Sequence, residues 1–352
     1  VNHISIGGDI HILEEIREVA VSKNVNFLIG SGCSADAIET MSTYWEEARK
    51  NNGHEKPNES AGGAHCKTCE QDGNELLLKD VIRVSEIILG GLSEEDRVAL
   101  DSVKLVSRSY TAFIREIVSL MNRMNSRQIP KNVNIFTTNY DLFLESALDK
   151  VSKSETFVVN DGSRGYFERI LDNLNFNRTV SYRGPSNNFI DEIPSVSLIK
   201  PHGSVNWKKT DNDEIEIKAQ VVDDPVIVKP DGHESRNTFA ENYFHDTLRI
   251  FQTELDKPQS VLFVVGFSFQ DKHISKMMQR ALRNKELKAY IFCYSDRTEG
   301  NIIRNLGYEP SEYPKNLKFI WPRDIRSDSN SIVDSEHLTL DDVTRIFSFG
   351  VK

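Results

Sequence analysis

Five short polar clusters, each following an apolar run, hold the residue types from which a phosphate- and sugar-binding site could be built. The first is Gly30-Ser31-Gly32-Cys33-Ser34, after the run 25–29. Missing side chains there let backbone N–H groups approach a pyrophosphate, and a helix restarting at Ser34 would add its positive end. A tight turn with Ser34 as helix cap is the plain alternative. The second is Thr137-Thr138-Asn139-Tyr140-Asp141, with more polar groups than capping the next helix requires. The third, Lys200-Pro201-His202-Gly203-Ser204, holds a histidine able to exchange protons near neutral pH. The fourth runs from Gly266 through Ser268 to Asp271, and the fifth ends in Asp296, an acid that could accept a ribose hydroxyl or cap a helix.

For these clusters to meet, the runs before them must be strands of one sheet. Strand-like runs fall at 25–29, 133–136, 196–199, 215–222, 226–228, 261–267, 289–293 and 317–320, with helical spacing at 10–21, 140–150, 240–255, 272–284 and 299–306. Alternating strands and helices predict an α/β, Rossmann-like fold. Its sheet is mainly parallel, with helices on both faces and a ligand crevice beyond the carboxyl ends of the strands. The i, i+3, i+4 apolar spacing at 76–89 and 94–124 predicts an all-helical insertion. The polar stretch 51–74 reads as an exposed loop that supplies no core residue, and 338–347 as an amphipathic docking helix behind a polar linker. The expected organisation is therefore a catalytic domain from 1–50 and 127–322, a loop and helical insertion at 51–126, and a linker and docking helix at 323–352.

The chain has 352 residues, 38% of them hydrophobic, and 43 basic against 53 acidic residues give a net charge of −10. That composition excludes fibrous and disordered classes, and the charge argues against direct contact with nucleic acid or an acidic membrane surface. No apolar run approaches the roughly 20 residues needed to span a bilayer. Four cysteines make no disulfide framework, which fits a reducing, cytoplasmic setting. Cys66-x-x-Cys69, with His54 and His65 nearby, could hold zinc, but no second ligand pair stands at the usual spacing, so a loop without metal is expected.

As an ordered set, the five clusters resemble the sirtuin-like NAD-binding fold. Gly30 to Ser34 is similar to that family's Gly-Ala-Gly-x-Ser, Thr138-Asn139-Tyr140-Asp141 to its Gln-Asn-Ile-Asp, and His202-Gly203 to its catalytic His-Gly. Gly266-Phe267-Ser268 stands where the family has Gly-Thr-Ser. The resemblance is strongest to the sirtuin-like domains of bacterial anti-phage defence systems, which often carry a Trp after the glycine loop, as Trp45 does here. It implies NAD as substrate, and no metal is expected because the zinc ribbon of the family's deacylases is missing. By the same resemblance Asn139 holds the ribose hydroxyls and a water, Asp141 supports that region or stabilises developing positive charge, and His202 is the general base. Gly30, Ser31, Gly32, Ser34 and Thr138 would line the phosphate side, with Gly266, Ser268 and Asp296 toward the adenosine. The implied activity is hydrolysis of NAD to nicotinamide and ADP-ribose, depleting cellular NAD. The implied assembly is a homo-oligomer joined to a regulatory partner, a HerA-type ring ATPase or, alternatively, a prokaryotic Argonaute.

The chain departs from the protein deacylases of this family at two places. Residues 203–266 contain no cysteine, whereas deacylases carry a four-cysteine zinc ribbon there. Where deacylases pair an acyl-lysine peptide, 226–232 includes Pro230, which removes a backbone donor. A deacylase and a non-catalytic NAD or ADP-ribose sensor remain the competing expectations.

Overall fold

Runs rich in β-branched and aromatic residues become strands buried on both faces, as expected for a parallel sheet covered by helices. The computed structural model describes residues 9–53, 67–91, 97–124, 130–182, 191–228, 242–325 and 336–348. In chain order the first elements are α1 (Asp9–Ser22), β1 (Asn24–Ile29), α2 (Met41–Asn51), α3 (Lys67–Ile88), α4 (Arg97–Arg123), β2 (Asn132–Thr137), α5 (Phe143–Ser152) and β3 (Val158–Asn160). Next come β4 (Ser163–Arg164), β5 (Ile170–Leu171), β6 (Ser181–Tyr182), β7 (Asp191–Glu192), β8 (Ser195–Ile199), β9 (Trp207–Lys209) and β10 (Ile215–Ile217). The last third holds α6 (Asn242–Asp256), β11 (Ser260–Val265), α7 (Lys272–Ala281), β12 (Lys288–Phe292), α8 (Glu299–Asn305), β13 (Leu317–Ile320), α9 (Pro322–Ile325) and α10 (Leu340–Phe347).

Seven strands form one sheet in the order β13-β12-β11-β1-β2-β8-β3, every neighbouring pair parallel. The α/β, Rossmann-like fold expected from the sequence is the one observed. The chain leaves β1 for β2 on one side and reaches β11 on the other, so the strand order reverses at β1. In open α/β sheets ligands bind beyond the carboxyl ends of the strands at such a reversal. Along β1, Val25, Phe27 and Ile29 face one core while Leu28 faces the other, the two-residue alternation of a strand.

The first core is closed by α1, α3, α4, α5 and α10. The helices of 51–126 and the C-terminal helix thus share one core with the sheet. Phe347 of α10 meets Phe27, Phe263 and Phe292 with ring centroids 5.5, 4.9 and 6.3 Å apart. The second core is closed by α6, α7 and α8. A small antiparallel sheet, β4-β5-β10-β9, packs Trp207, Ile215 and Ile217 against Phe244 of α6. No helix among the described residues is long and apolar enough to cross a membrane.

Three local expectations are corrected. Residues 67–74 belong to α3 rather than to an exposed loop, and Cys69 is buried. The cause is tertiary: the Trp45 indole N–H donates to Asn74 Oδ1 at 3.2 Å, and Trp45 lies so close to Gly73 that a Cβ there would come within 2.5 Å of the ring. Residues 54–66, including Cys66, His54 and His65, lie outside the described residues. The strand expected over 215–222 ends at Ile217, and 226–228 is held as the isolated bridge of Ile227 opposite Gly203 rather than as a strand. Finally, Gly30 leads into a single 3-10 turn, Ser31–Ser34, with α2 starting only at Met41. Gly, Ser and Asp in 31–40 disfavour continuing as an α-helix, so no long helix dipole points from Ser34 toward the crevice.

Candidate active site

At the reversal point the glycines serve backbone packing. Gly30 N–H donates to Val265 O and Gly32 N–H to Gly266 O, both at 2.9 Å, and Cys33 N–H donates to Gly30 O at 3.1 Å. A Cβ on Gly30 would overlap the Gly266 carbonyl oxygen, and one on Gly266, which has φ +65°, would lie 2.6 Å from Cys33 N. Only glycine on both sides lets the loop after β1 and the turn after β11 touch. Ser31 and Gly32 remain exposed and open to a ligand, whereas Ser34 is buried and turned inward.

Ser34 Oγ lies 2.9 Å from the Tyr110 hydroxyl of α4 and donates to Asp141 Oδ2 at 3.2 Å. Asp141 Oδ1 accepts from Phe143 N–H at 3.2 Å, tying the carboxylate to the start of α5. Burial pushes the Asp141 carboxyl above the usual carboxylate range, opposed by Lys200 and by its hydrogen bonds. Lys200, itself buried, places its Nζ 2.6 Å from Asp141 O, 2.8 Å from Glu145 Oε1 and 2.9 Å from Ser204 Oγ. This amine binds the strand end after β8 to the strand end after β2.

Asn139 follows β2. Its Nδ2 donates to Gly30 O at 3.3 Å, its N–H to Thr137 Oγ1 at 3.1 Å, and Thr137 Oγ1 in turn donates to Ile29 O at 2.8 Å. The β1 and β2 ends are thereby locked together. Asn139 Oδ1 is buried and has no partner among the described residues, an acceptor that a ligand hydroxyl or a water would satisfy. Thr138 is half-buried beside it.

His202 follows β8 and is buried. Its Nε2 lies 3.0 Å from His273 Nε2 and 3.3 Å from Asp271 Oδ2, while His273 Nδ1 is 2.6 Å from Asp271 Oδ1. Asp271 also caps α7 by accepting from His273 and Ile274 N–H groups. Burial pushes the His202 imidazole down from its ordinary 6.5 to about 4, with the Asp271 charge opposing the shift and His273 adding to it. Burial alone would raise Asp271, but the hydrogen bond from His273 and attraction to both rings hold it below the usual carboxylate range. At neutral pH His202 is therefore an uncharged base. His202, Asp271 and His273 are also the one group of donor types suited to a metal ion among the described residues, their ligand atoms within 4.8 Å of one another.

The structure thus brings together Gly30, Gly32, Ser34, Asn139, Asp141 and Gly266, with His202 joined to them through Lys200 and Ser204. Ser268 is exposed on the turn after β11, with its carbonyl held by Asn305 at 2.8 Å. Asp296 lies two strands from β1, and its Oδ1 accepts from Arg323 N–H at 3.4 Å. Sequence reasoning missed Tyr110, Thr137, Lys200 and His273 as members of the site. Each lay within a quoted motif or stripe, but its partner is dozens of residues away. A cleft of about 820 Å3 between α6 and the small sheet is lined by Arg164, Asp172, Glu214, Tyr243 and Arg249 and shares no residue with this cluster.

No curated protein matches the chain. Residues 133–310 match the SIR2-like domain, a span that contains Asn139, Asp141, His202, Gly266 and His273 and leaves the loop after β1 outside it. Such a domain implies binding or use of NAD, and the buried, unpartnered Asn139 carbonyl beside a glycine-lined backbone crevice fits a ribose-bearing ligand. That match covers half of the chain, and on it the protein belongs to the SIR2-like domain family, whose members are often NAD-utilising enzymes.

Proposed function

We propose that the protein is an NAD glycohydrolase that cleaves NAD to nicotinamide and ADP-ribose and depletes cellular NAD in anti-phage defence. One observation carries this reading: at the sheet's reversal point, Asn139 offers a buried acceptor without a partner while His202, on the neighbouring strand end, is held uncharged. NAD supplies a nicotinamide that leaves ribose C1′ as a neutral group, so the protein needs orientation and a base more than an acid. Asn139 orients the ribose and the attacking water. His202 takes the water's proton, and Asp141, fixed by Ser34, Phe143 and Lys200, supports the Asn139 loop. Ser31 and Gly32 are the exposed part of the loop toward which the phosphates lie.

A deacylase reading is less well supported. The edge that an acyl peptide would join is occupied, since Val228 N–H donates to His202 O at 2.9 Å and Ile227 bridges Gly203. By resemblance, the enzyme works as a homo-oligomer in the cytoplasm, restrained and released by a HerA-type ring ATPase or a prokaryotic Argonaute, without a metal in the reaction. Expression of wild type and Asn139→Ala in a bacterial host, alone and with the partner, tests this. The NAD pool should fall with wild type and hold with the variant. An undiminished pool under wild type with its partner present would refute the proposal.

A further inference from the structure

Asp271 and His273 were not among the residues expected to act, yet among the described residues both bear on the charge of His202. His202 follows β8 and His273 follows β11, three positions apart in the sheet with β1 and β2 between them. We propose that Asp271 and His273 are positioning residues that select the tautomer of His202 and receive its proton during the reaction. This rests on the NAD hydrolase reading for its catalytic half and on geometry alone for its tautomer half.

An ionised carboxylate only accepts, so at 2.6 Å from Asp271 Oδ1 His273 Nδ1 must carry the hydrogen. If Nδ1 carries the one hydrogen of the His273 ring, its Nε2 is a lone pair facing His202 Nε2 at 3.0 Å, and His202 presents an N–H there. Asp271 Oδ2, 3.3 Å away, favours the same hydrogen. The one remaining lone pair of His202 is on Nδ1, which makes Nδ1 the basic atom. When Nδ1 forms a bond to a proton from the attacking water, the Nε2–H bond can break and the proton pass to His273 Nε2. The positive charge then rests on His273 with both ring nitrogens protonated, and Nδ1–H stays on the Asp271 carboxylate. His202 Nε2 becomes the lone-pair atom; the resting state returns when the proton on His273 passes back to His202 Nε2 and the Nδ1 proton is lost to solvent, the proton that NAD hydrolysis releases. Asp271 has a second task as the cap of α7, and Asn caps helices as well as Asp, so Asp271→Asn removes the charge while keeping the cap.

The test uses the full chain labelled with 15N-histidine, its imidazole signals assigned with His202→Ala and His273→Ala. Long-range proton–nitrogen spectra should show His202 protonated on Nε2 and His273 on Nδ1, and Asp271→Asn should redistribute both. In NAD turnover, His273→Ala and Asp271→Asn should each lower kcat by about tenfold to a hundredfold with KM within about twofold of wild type. The acid limb of kcat/KM should move to lower pH in Asp271→Asn, where the carboxylate favouring the His202 cation is lost. In His273→Ala it should move to higher pH. His202 protonated on Nδ1 in the wild-type spectra would overturn the tautomer assignment. Wild-type kcat and pH profile in both variants would overturn the relay, and so would activity that a chelator abolishes and zinc restores, because the three groups would then be ligands. A wild type that hydrolyses no NAD but shows the assigned tautomers contradicts the hydrolase reading and leaves the tautomer half standing.

Discussion

The two ends of one parallel sheet each bury a row of polar side chains, and they differ in kind. Deep in the sheet, Asn26 Nδ2 donates to Val261 O at 3.3 Å and Asn134 Nδ2 to Asn26 Oδ1 at 2.9 Å. Asn132 Nδ2 donates to Asn134 Oδ1 at 2.8 Å, and Ser195 and Ser197 close on Asn132 Oδ1 at 3.0 and 3.2 Å. This ladder crosses β11, β1, β2 and β8, holds no titratable group, and every amide oxygen in it is satisfied. At the carboxyl end, Asn139 Oδ1 has no partner among the described residues, and burial and neighbouring charges push His202 and Asp271 below and Asp141 above their ordinary pKa ranges. Burial of polar groups alone therefore does not mark a site. Complete satisfaction marks structure, and an open acceptor beside shifted acids and bases marks chemistry.

Substitutions break the comparison at either end. At the carboxyl end, Asn139→Ala and His202→Ala should each lower NAD turnover by about a hundredfold or more, while thermal unfolding shows the fold kept. A His202→Ala protein with near-normal turnover would assign the base elsewhere. The same end should also respond to pH through stability. Because folding holds His202 at about 4 against an ordinary 6.5, the unfolded chain binds more protons between those values. Stability should fall as pH drops through that window, by up to about 3 kcal/mol for a shift of this size. In His202→Ala, denaturant titrations at pH 7 and 4.5 should differ by correspondingly less, and an unchanged difference would remove His202 as the cause.

At the ladder the expected effect is smaller and of the opposite kind. Asn134→Ala leaves Asn26 Oδ1 without its donor and Asn132 Nδ2 without its acceptor, at a cost of about 1–3 kcal/mol for buried groups so exposed. Denaturant titration measures that loss. Turnover per folded molecule should stay at the wild-type level, and a large fall in it would erase the distinction drawn between the two ends.

Much of this organisation was legible in the residues. The run 317–320 matches the edge strand β13 to the residue, and the runs for the central strands match to within two, because runs buried on both faces are continuous, apolar and bounded by polar turns. The glycines of the loop after β1 and His202 between Pro201 and Gly203 signalled strand-end chemistry for the same reason. What was not legible depends on contacts between distant segments. Nothing near Lys67 announces a helix whose polar start is held by Trp45. His273 sits 71 residues from His202, and Tyr110 sits 76 from Ser34. The short strands β3 to β7, two or three residues each, are too brief for a two-residue alternation to register. The glycine loop was found, and the structure adds a second reason for it: Gly30, Gly32 and Gly266 allow backbone to meet backbone, and of the expected phosphate contacts only Ser31 and Gly32 are left exposed.

The central claim is that this crevice hydrolyses NAD using the chain's own residues. Incubating the purified chain with NAD, with and without an acylated peptide and in the presence of its partner where one is required, and separating the products by chromatography tests it most directly. The account predicts nicotinamide and ADP-ribose in equal amounts, independent of peptide. Nicotinamide released only when the acylated peptide is present, or NAD bound and recovered intact under every condition, would contradict it.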